Sequence, residues 1–279
     1  MLMLGLRAGT DPRVVITTTP QPTPLIKQLL KDPTCVVTRG SSYENMANLA
    51  PAFIAQIIKK YEGTRMGRQE LFAELLEDVL GALWTLANIE ATRIPAPPPG
   101  APATYPRDFF TRIVVAIDPP IKSQAEAAAI QEEEDIAEAG IIVAGRGRDG
   151  HGYVLEDASR QASPLQWATI ATGLYQAFRA DRLIAEVNQG GDMVISTVAT
   201  ADARIPVKVI HAKEGKYLRA EPVAALFEQG RCHLVGTFPK LEDQMCTWVP
   251  GLKSPDRLDA MVYALTELML GPTGEAFVL

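Results

Sequence analysis

Three carboxylates stand at comparable places in the chain. Asp118 closes the run Arg-Ile-Val-Val-Ala-Ile-Asp, residues 112–118, and is followed at once by Pro119 and Pro120. Glu186 lies near the end of a second apolar run, RLIAEV at 182–187. Asp259 sits in SPDRLDAMVYAL, residues 254–265, with Asp256 three residues before it. Acids brought from separate elements to one place can hold a pair of divalent ions. Hard oxygen donors favour magnesium or manganese. Two such ions, about 3.5–4 Å apart, activate a water and stabilise the leaving oxygen of a phosphodiester. A plainer reading uses the same residues: Asp118 caps a turn, Glu186 and Asp256 form surface ion pairs, and Asp256 is a helix-start acid favoured by the dipole. The coincidence of position among Asp118, Glu186 and Asp259 favours the metal chemistry.

The elements that must carry these acids can be read from pattern. Five apolar, mostly β-branched residues before Asp118 predict a fully buried strand. Two prolines cannot continue a ladder, so the acid falls at the strand's mouth. Strands are also expected at 140–146, 153–157, 182–187, 207–211 and 231–235. The run GRGRDGHG at 145–152 reads as a hairpin turn, since no Lys-Ser/Thr and helix follow it as in a phosphate loop. Helices are expected from Ser163-Pro164 through Phe178, from Asp192, at 219–229, at 240–247 and at 255–269, the last opened by Ser254 as N-cap and Pro255 at N1. In that helix Leu258, Met261, Val262 and Leu265 mark the packing face. Asp259 adjoins that face, a poor place for an unpaired charge. The order βββαβαβ with trailing helices predicts an α/β, ribonuclease H-like mixed sheet flanked by helices.

The N-terminal part differs in character. Short strands are expected at 14–19 (VVITTT) and 35–38 (CVVT), a helix from Pro24 to Lys31, and helices at 50–61 and 68–86 forming a small helical subdomain. A domain that opens on a strand with no earlier partner reads as part of a larger sheet. The stretch PAPPPGAP at 95–102 is a stiff spacer and marks the domain cut. The predicted division is 1–95, a Pro-rich linker at 96–104, and 105–279. Residues 122–139, rich in alanine and glutamate, read as a surface helix or an insertion. The net charge of −6 does not advertise nucleic-acid binding, though it leaves room for a local basic stripe drawn from Arg146, Arg148, Arg160, Lys208, Lys213, Lys216 and Arg219. Trp84, Trp167 and Trp248 read as packing residues. Cys35, Cys232 and Cys246 make no metal or disulfide pattern. That cysteine usage makes a reducing cytosol the default; the start MLMLGLRAG lacks the flanks of a signal peptide, and no apolar run is long enough to span a bilayer.

Taken in order, PRVVITTTPQPTPLIKQLL, TRGSSYENMANLAP, YEGTRMGRQEL, IVVAIDPP, LIAEVNQGG, GRCHLVGTF through LEDQMCTWVP, and SPDRLDAMVYAL cover nearly the whole chain. In that order they resemble the large subunit of phage terminase, the DNA-packaging motor, in the branch shared with phage-like gene transfer agents. The resemblance implies an N-terminal ATPase and a C-terminal ribonuclease H-like nuclease that cuts double-stranded DNA with two metal ions, Mg2+ or Mn2+. It implies Asp118, Glu186 and Asp259 as the acidic triad, with Asp118 bridging both ions and Asp256 as an auxiliary ligand. Thr17 and Thr18 fall in the motif that relatives use to couple ATP hydrolysis to DNA movement. Portal protein and small terminase subunit are the implied partners, a ring on the portal the implied assembly of the full motor, and the host cell cytoplasm the implied location.

Two departures qualify this. No GxxxxGK[ST] phosphate loop and no Walker B strand occur, so ATP hydrolysis is not expected, and the first 95 residues are expected to be the tail of a P-loop ATPase sheet with a helical lid. Relatives carry a further acid after the Asp-Pro-Pro turn, where this chain has QEEEDIAEAG; Glu138 or Asp135 is the candidate. Two other readings share the fold: a non-catalytic module that holds DNA or portal, and a resolvase-like nuclease for branched DNA.

Overall fold

The computed structural model describes residues 13–18, 24–52, 54–55, 65–74, 79–97, 104–119, 138–186, 191–210, 216–249, 251–252 and 254–271. The chain forms two compact units, Met1–Glu77 and Asp78–Leu279. The division falls before the Pro-rich segment because Trp84 and Ile89 are buried in the core of the second unit.

In the first unit, helix α1 spans Pro24–Lys31 as expected, and α2 spans Arg65–Phe72. The expected strands at 14–19 and 35–38 do not form: residues 13–18 and 35–38 carry no strand, and Val15 and Val36 are exposed. β-Branched residues bias the backbone toward extension, but a strand also needs a partner's hydrogen bonds. Thr17 and Thr18 lie in that exposed stretch. The single helix expected over 68–86 is also corrected. Helix α2 stops at Phe72, Ala73 takes a positive φ of 52°, and Gly81 another at 88°. Most of the helix expected at 50–61 lies outside the described residues.

The second unit begins with helix α3, Leu86–Thr92, whose N-cap Thr85 accepts from the Asn88 N–H at 3.2 Å. Strands β1 (Phe110–Asp118), β2 (Glu138–Gly147) and β3 (Gly152–Asp157) form the antiparallel meander, and β4 (Arg160–Gln161) adds a short pairing to β2. Helix α4 (Pro164–Ala177) opens on Ser163, whose N–H donates to the Gln166 side chain at 2.9 Å. There follow β5 (Arg182–Glu186), α5 (Gly191–Ala201), β6 (Val207–Ile210), α6 (Lys216–Glu228), β7 (Cys232–Leu234), α7 (Pro239–Thr247) and α8 (Asp256–Leu265), the last ending in a π-type turn at Thr266–Leu270. The 122–139 segment lies outside the described residues, apart from the start of β2.

The strands run in the order β6-β5-β1-β2-β3-β7, with β4 beside β2. β5 is parallel to β1, β6 to β5, and β7 to β3, so the sheet is mixed. Alternation sorts the strand residues between two cores. On one face Val114, Ala116, Ile142 and Ile184 pack under α3, α6, α7 and α8. On the other Val115, Ile117, Val143 and Leu183 pack under α4 and α5. Trp84 and Trp248 lie in the first core and Trp167 in the second. Among the described residues no helix is long and apolar enough to cross a membrane.

Candidate active site

The acids are placed by register. Ile117 of β1 pairs with Ala185 of β5 in parallel, so the next step on each strand sets Asp118 beside Glu186. Both lie two residues beyond Ala116 and Ile184, which face α8, so both carboxylates belong to that face. Asp118 is 8% exposed and Glu186 2%. On its other side Asp118 pairs with Gly140 of β2.

Gly140 seats the helix that carries the third acid. A Cβ built there would overlap the backbone carbonyl oxygen of Asp256 and stand 3.1 Å from the Cβ of Ala260. The bare glycine lets the first turn of α8 rest on β2, one strand position from Asp118. That turn carries Asp256, half-buried, and Asp259, 4% exposed. The Ser254 hydroxyl donates to Asp259 Oδ2. Ser254 is thus not the N-cap: Pro255 holds that position and the helix opens at Asp256.

Two arginines reach this face. Arg257, between the two acids of α8, is buried. Its guanidinium donates to Glu138 through Nε at 3.0 Å and through Nη2, to Asp157 through Nη1 at 2.7 Å, and to the Ser159 carbonyl at 2.8 Å. Burial works against its charge, but Glu138 and Asp157 outweigh burial and hold its pKa above the usual arginine value. The start of α8 is therefore tied to the start of β2 and the end of β3. Glu138, a candidate extra ligand, serves this arginine; Asp135 lies outside the described residues. Arg219 of α6 donates through Nη1 to Glu186 Oε1 at 3.4 Å, with side chains 13% and 3% exposed. Its guanidinium lies over the Tyr263 ring, 4.9 Å from the centroid. The expected surface pair for Glu186 is thus a buried one.

The other candidate basic residues are also engaged. Arg146 donates to the Leu268 carbonyl, Arg148 to that of Asp108, Arg160 to that of Ala158, and Lys208 to Glu267. Lys213 and the Lys216 side chain lie outside the described residues. Sequence reasoning missed the roles of Arg219 and Arg257, whose partners are distant in the chain.

The register and the buried acids supply hard oxygen donors from β1, β5 and α8, a donor set that suits Mg2+ or Mn2+. Among the described residues no three His, Cys, Asp or Glu side chains already converge as a ligand group. Glu186 is engaged by Arg219 and Asp259 by Ser254.

A family model described as the terminase RNaseH-like domain matches residues 127–268. The chain belongs to the terminase large-subunit family. A second model, terminase large subunit, T4likevirus-type, N-terminal, matches residues 1–91. The RNaseH-like match takes in Glu186, Asp256 and Asp259, while Asp118 precedes it. The expected ribonuclease H-like mixed sheet is the fold observed. Among solved structures, the large terminase nuclease from thermophilic phage G20c is 11% identical, over 67% of this chain and 99% of that one, with a TM-score of 0.47. The human cytomegalovirus terminase nuclease domain is 16% identical, over 66% and 94%, with a TM-score of 0.43. The large terminase of another thermophilic bacteriophage is 12% identical, over 82% of this chain and 55% of that one, with a TM-score of 0.44. This terminase chain thus aligns with only about half of that relative's length. No curated protein matches it.

Proposed function

We propose that this terminase chain is a metal-dependent endonuclease that cuts double-stranded DNA during viral genome packaging. The observation that carries the reading is the buried pair Asp118 and Glu186, side by side at the ends of parallel strands, with the first turn of α8 resting on the neighbouring strand β2 at Gly140. Asp118, Glu186 and Asp259 would hold two divalent ions, Mg2+ or Mn2+, with Asp256 as auxiliary ligand. When bound, such ions supply Lewis acidity that lowers the pKa of water and neutralises charge on the phosphate. The chain's own residues do the positioning. The strand ends fix Asp118 and Glu186, Ser254 orients Asp259 by its hydrogen bond, and Arg257 seats the helix that carries it. No covalent intermediate with the protein is needed, because water is the nucleophile.

On this reading the nuclease domain takes 105–279 and the linker 96–104, with 1–95 the ATPase-side portion, of which the residues from Asp78 onward belong to the second compact unit. Portal protein and small terminase subunit are the proposed partners, and the host cytoplasm the proposed site of action. The test is supercoiled plasmid incubated with Mn2+ or Mg2+. The protein should nick or linearise it, and Asp118→Ala should lose at least about a hundredfold of the rate. Equal cutting by Asp118→Ala and the parent would overturn the assignment. DNA binding without any divalent-dependent cutting would leave a DNA-holding module instead.

A further inference from the structure

Glu186 already faces a cation. Arg219 Nη1 is 3.4 Å from Glu186 Oε1, and both side chains are largely buried. The contact is a single long one, outside the usual range for a charge-assisted hydrogen bond. The guanidinium is otherwise poorly satisfied: Nε is buried with no hydrogen-bond partner among the described residues. Its face rests on the Tyr263 ring, whose hydroxyl is likewise buried without a partner among them. Arginine stacked on an aromatic face keeps its charge while making few directional bonds, so it can swing at small cost. The helix that carries it is built to allow this. Pro222 lies inside α6, three residues after Arg219. Proline has no N–H, so the Leu218 carbonyl lacks its donor four residues on, and the turn bearing Arg219 is held by fewer bonds than a regular helix end.

We propose that Arg219 is a resident counter-cation that competes with the divalent ion for Glu186, and thereby sets how tightly the site takes metal. This rests on the reading of Glu186 as a metal ligand. Two cations cannot share one buried carboxylate oxygen without repulsion, and that repulsion is strong where water is scarce. Metal entry at Glu186 Oε1 therefore requires Arg219 to leave that oxygen.

The test uses the full chain, with MnCl2 as the probe and no DNA. Calorimetric titration should show Arg219→Gln binding Mn2+ about tenfold more tightly than the parent. Arg219→Lys, which keeps the charge, should bind as the parent does. Without Mn2+ the glutamine variant should melt below the parent, and saturating Mn2+ should close most of that gap. A purely structural arginine would give unchanged affinity and the same loss of melting temperature in both conditions, which overturns the proposal. Should the variant fail to fold, a crystal of the parent grown with Mn2+ decides: metal on Glu186 with Arg219 withdrawn supports it, and metal on Glu186 with Arg219 still in place refutes it. The underlying reading has its own control. If Glu186→Gln binds Mn2+ as well as the parent, Glu186 is no ligand, and the failure lies there.

Discussion

Two arginines on one face of the sheet, Arg257 buried and Arg219 partly buried, are held in opposite ways. Arg257 meets two carboxylates and a carbonyl, with contacts of 2.7, 2.8 and 3.0 Å among them. Arg219 meets one carboxylate at 3.4 Å, and its Nε has no partner among the described residues. The first arrangement resists movement, because removing any partner strands a buried charge. The second gives up little when it lets go. The difference separates the part of the site that must stay fixed, the seat of α8, from the part that must yield, the cation on Glu186.

The largest effect should come from breaking the fixed side. Arg257→Met leaves Glu138 and Asp157 without their common cation, and should cost about 3–5 kcal/mol in denaturant unfolding. A loss below about 1 kcal/mol would mean that the network is not what seats the helix. Gly140→Ala probes the same seat without touching a charge. Its new methyl meets the Asp256 backbone rather than a flexible side chain, so about 1–3 kcal/mol should be lost and plasmid cutting should fall with it. Arg219→Gln should cost less, about 1 kcal/mol without metal, since only one long contact is lost. If it cost as much as Arg257→Met, the contrast between the two arginines would collapse.

The contrast was only half legible in the sequence. Asp118 and Glu186 could be placed at strand mouths because β-branched runs lead into both, and two prolines stop the first. Helix α8 could be read from the spacing of Leu258, Met261, Val262 and Leu265. The arginine roles could not be read, since Arg257 finds Glu138 and Asp157 from 119 and 100 residues away, and Arg219 finds Glu186 across 33. Local pattern carries periodicity but not pairing across a fold. The same limit explains VVITTT, where β-branching implied a strand that has no pairing among the described residues, and the break after Phe72, where apolar spacing ran on through residues whose backbone turns.

The smallest effect tests a carboxylate that neither of these arginines engages. Glu156, beside Asp157 on β3, has its pKa raised, first by burial and then by the neighbouring carboxylate, with Arg160 offsetting only part of the rise. A raised acid pKa contributes stability that is present below the unfolded value and lost as pH rises through the folded one. At pH 7 the ionised side chain therefore opposes folding slightly. Glu156→Gln should raise the melting temperature at pH 7, and the gain should vanish below about pH 4, where the unfolded glutamate is itself protonated. A gain that persists at low pH would assign the effect to packing.

The central claim is that Asp118, Glu186 and Asp259 form one metal centre. Anomalous diffraction from a crystal soaked in Mn2+ tests it most directly. Two peaks are expected, both touching Asp118, one also held by Glu186 and the other by Asp259. Manganese found only elsewhere on the molecule, with no peak within coordinating distance of Asp118, would contradict it.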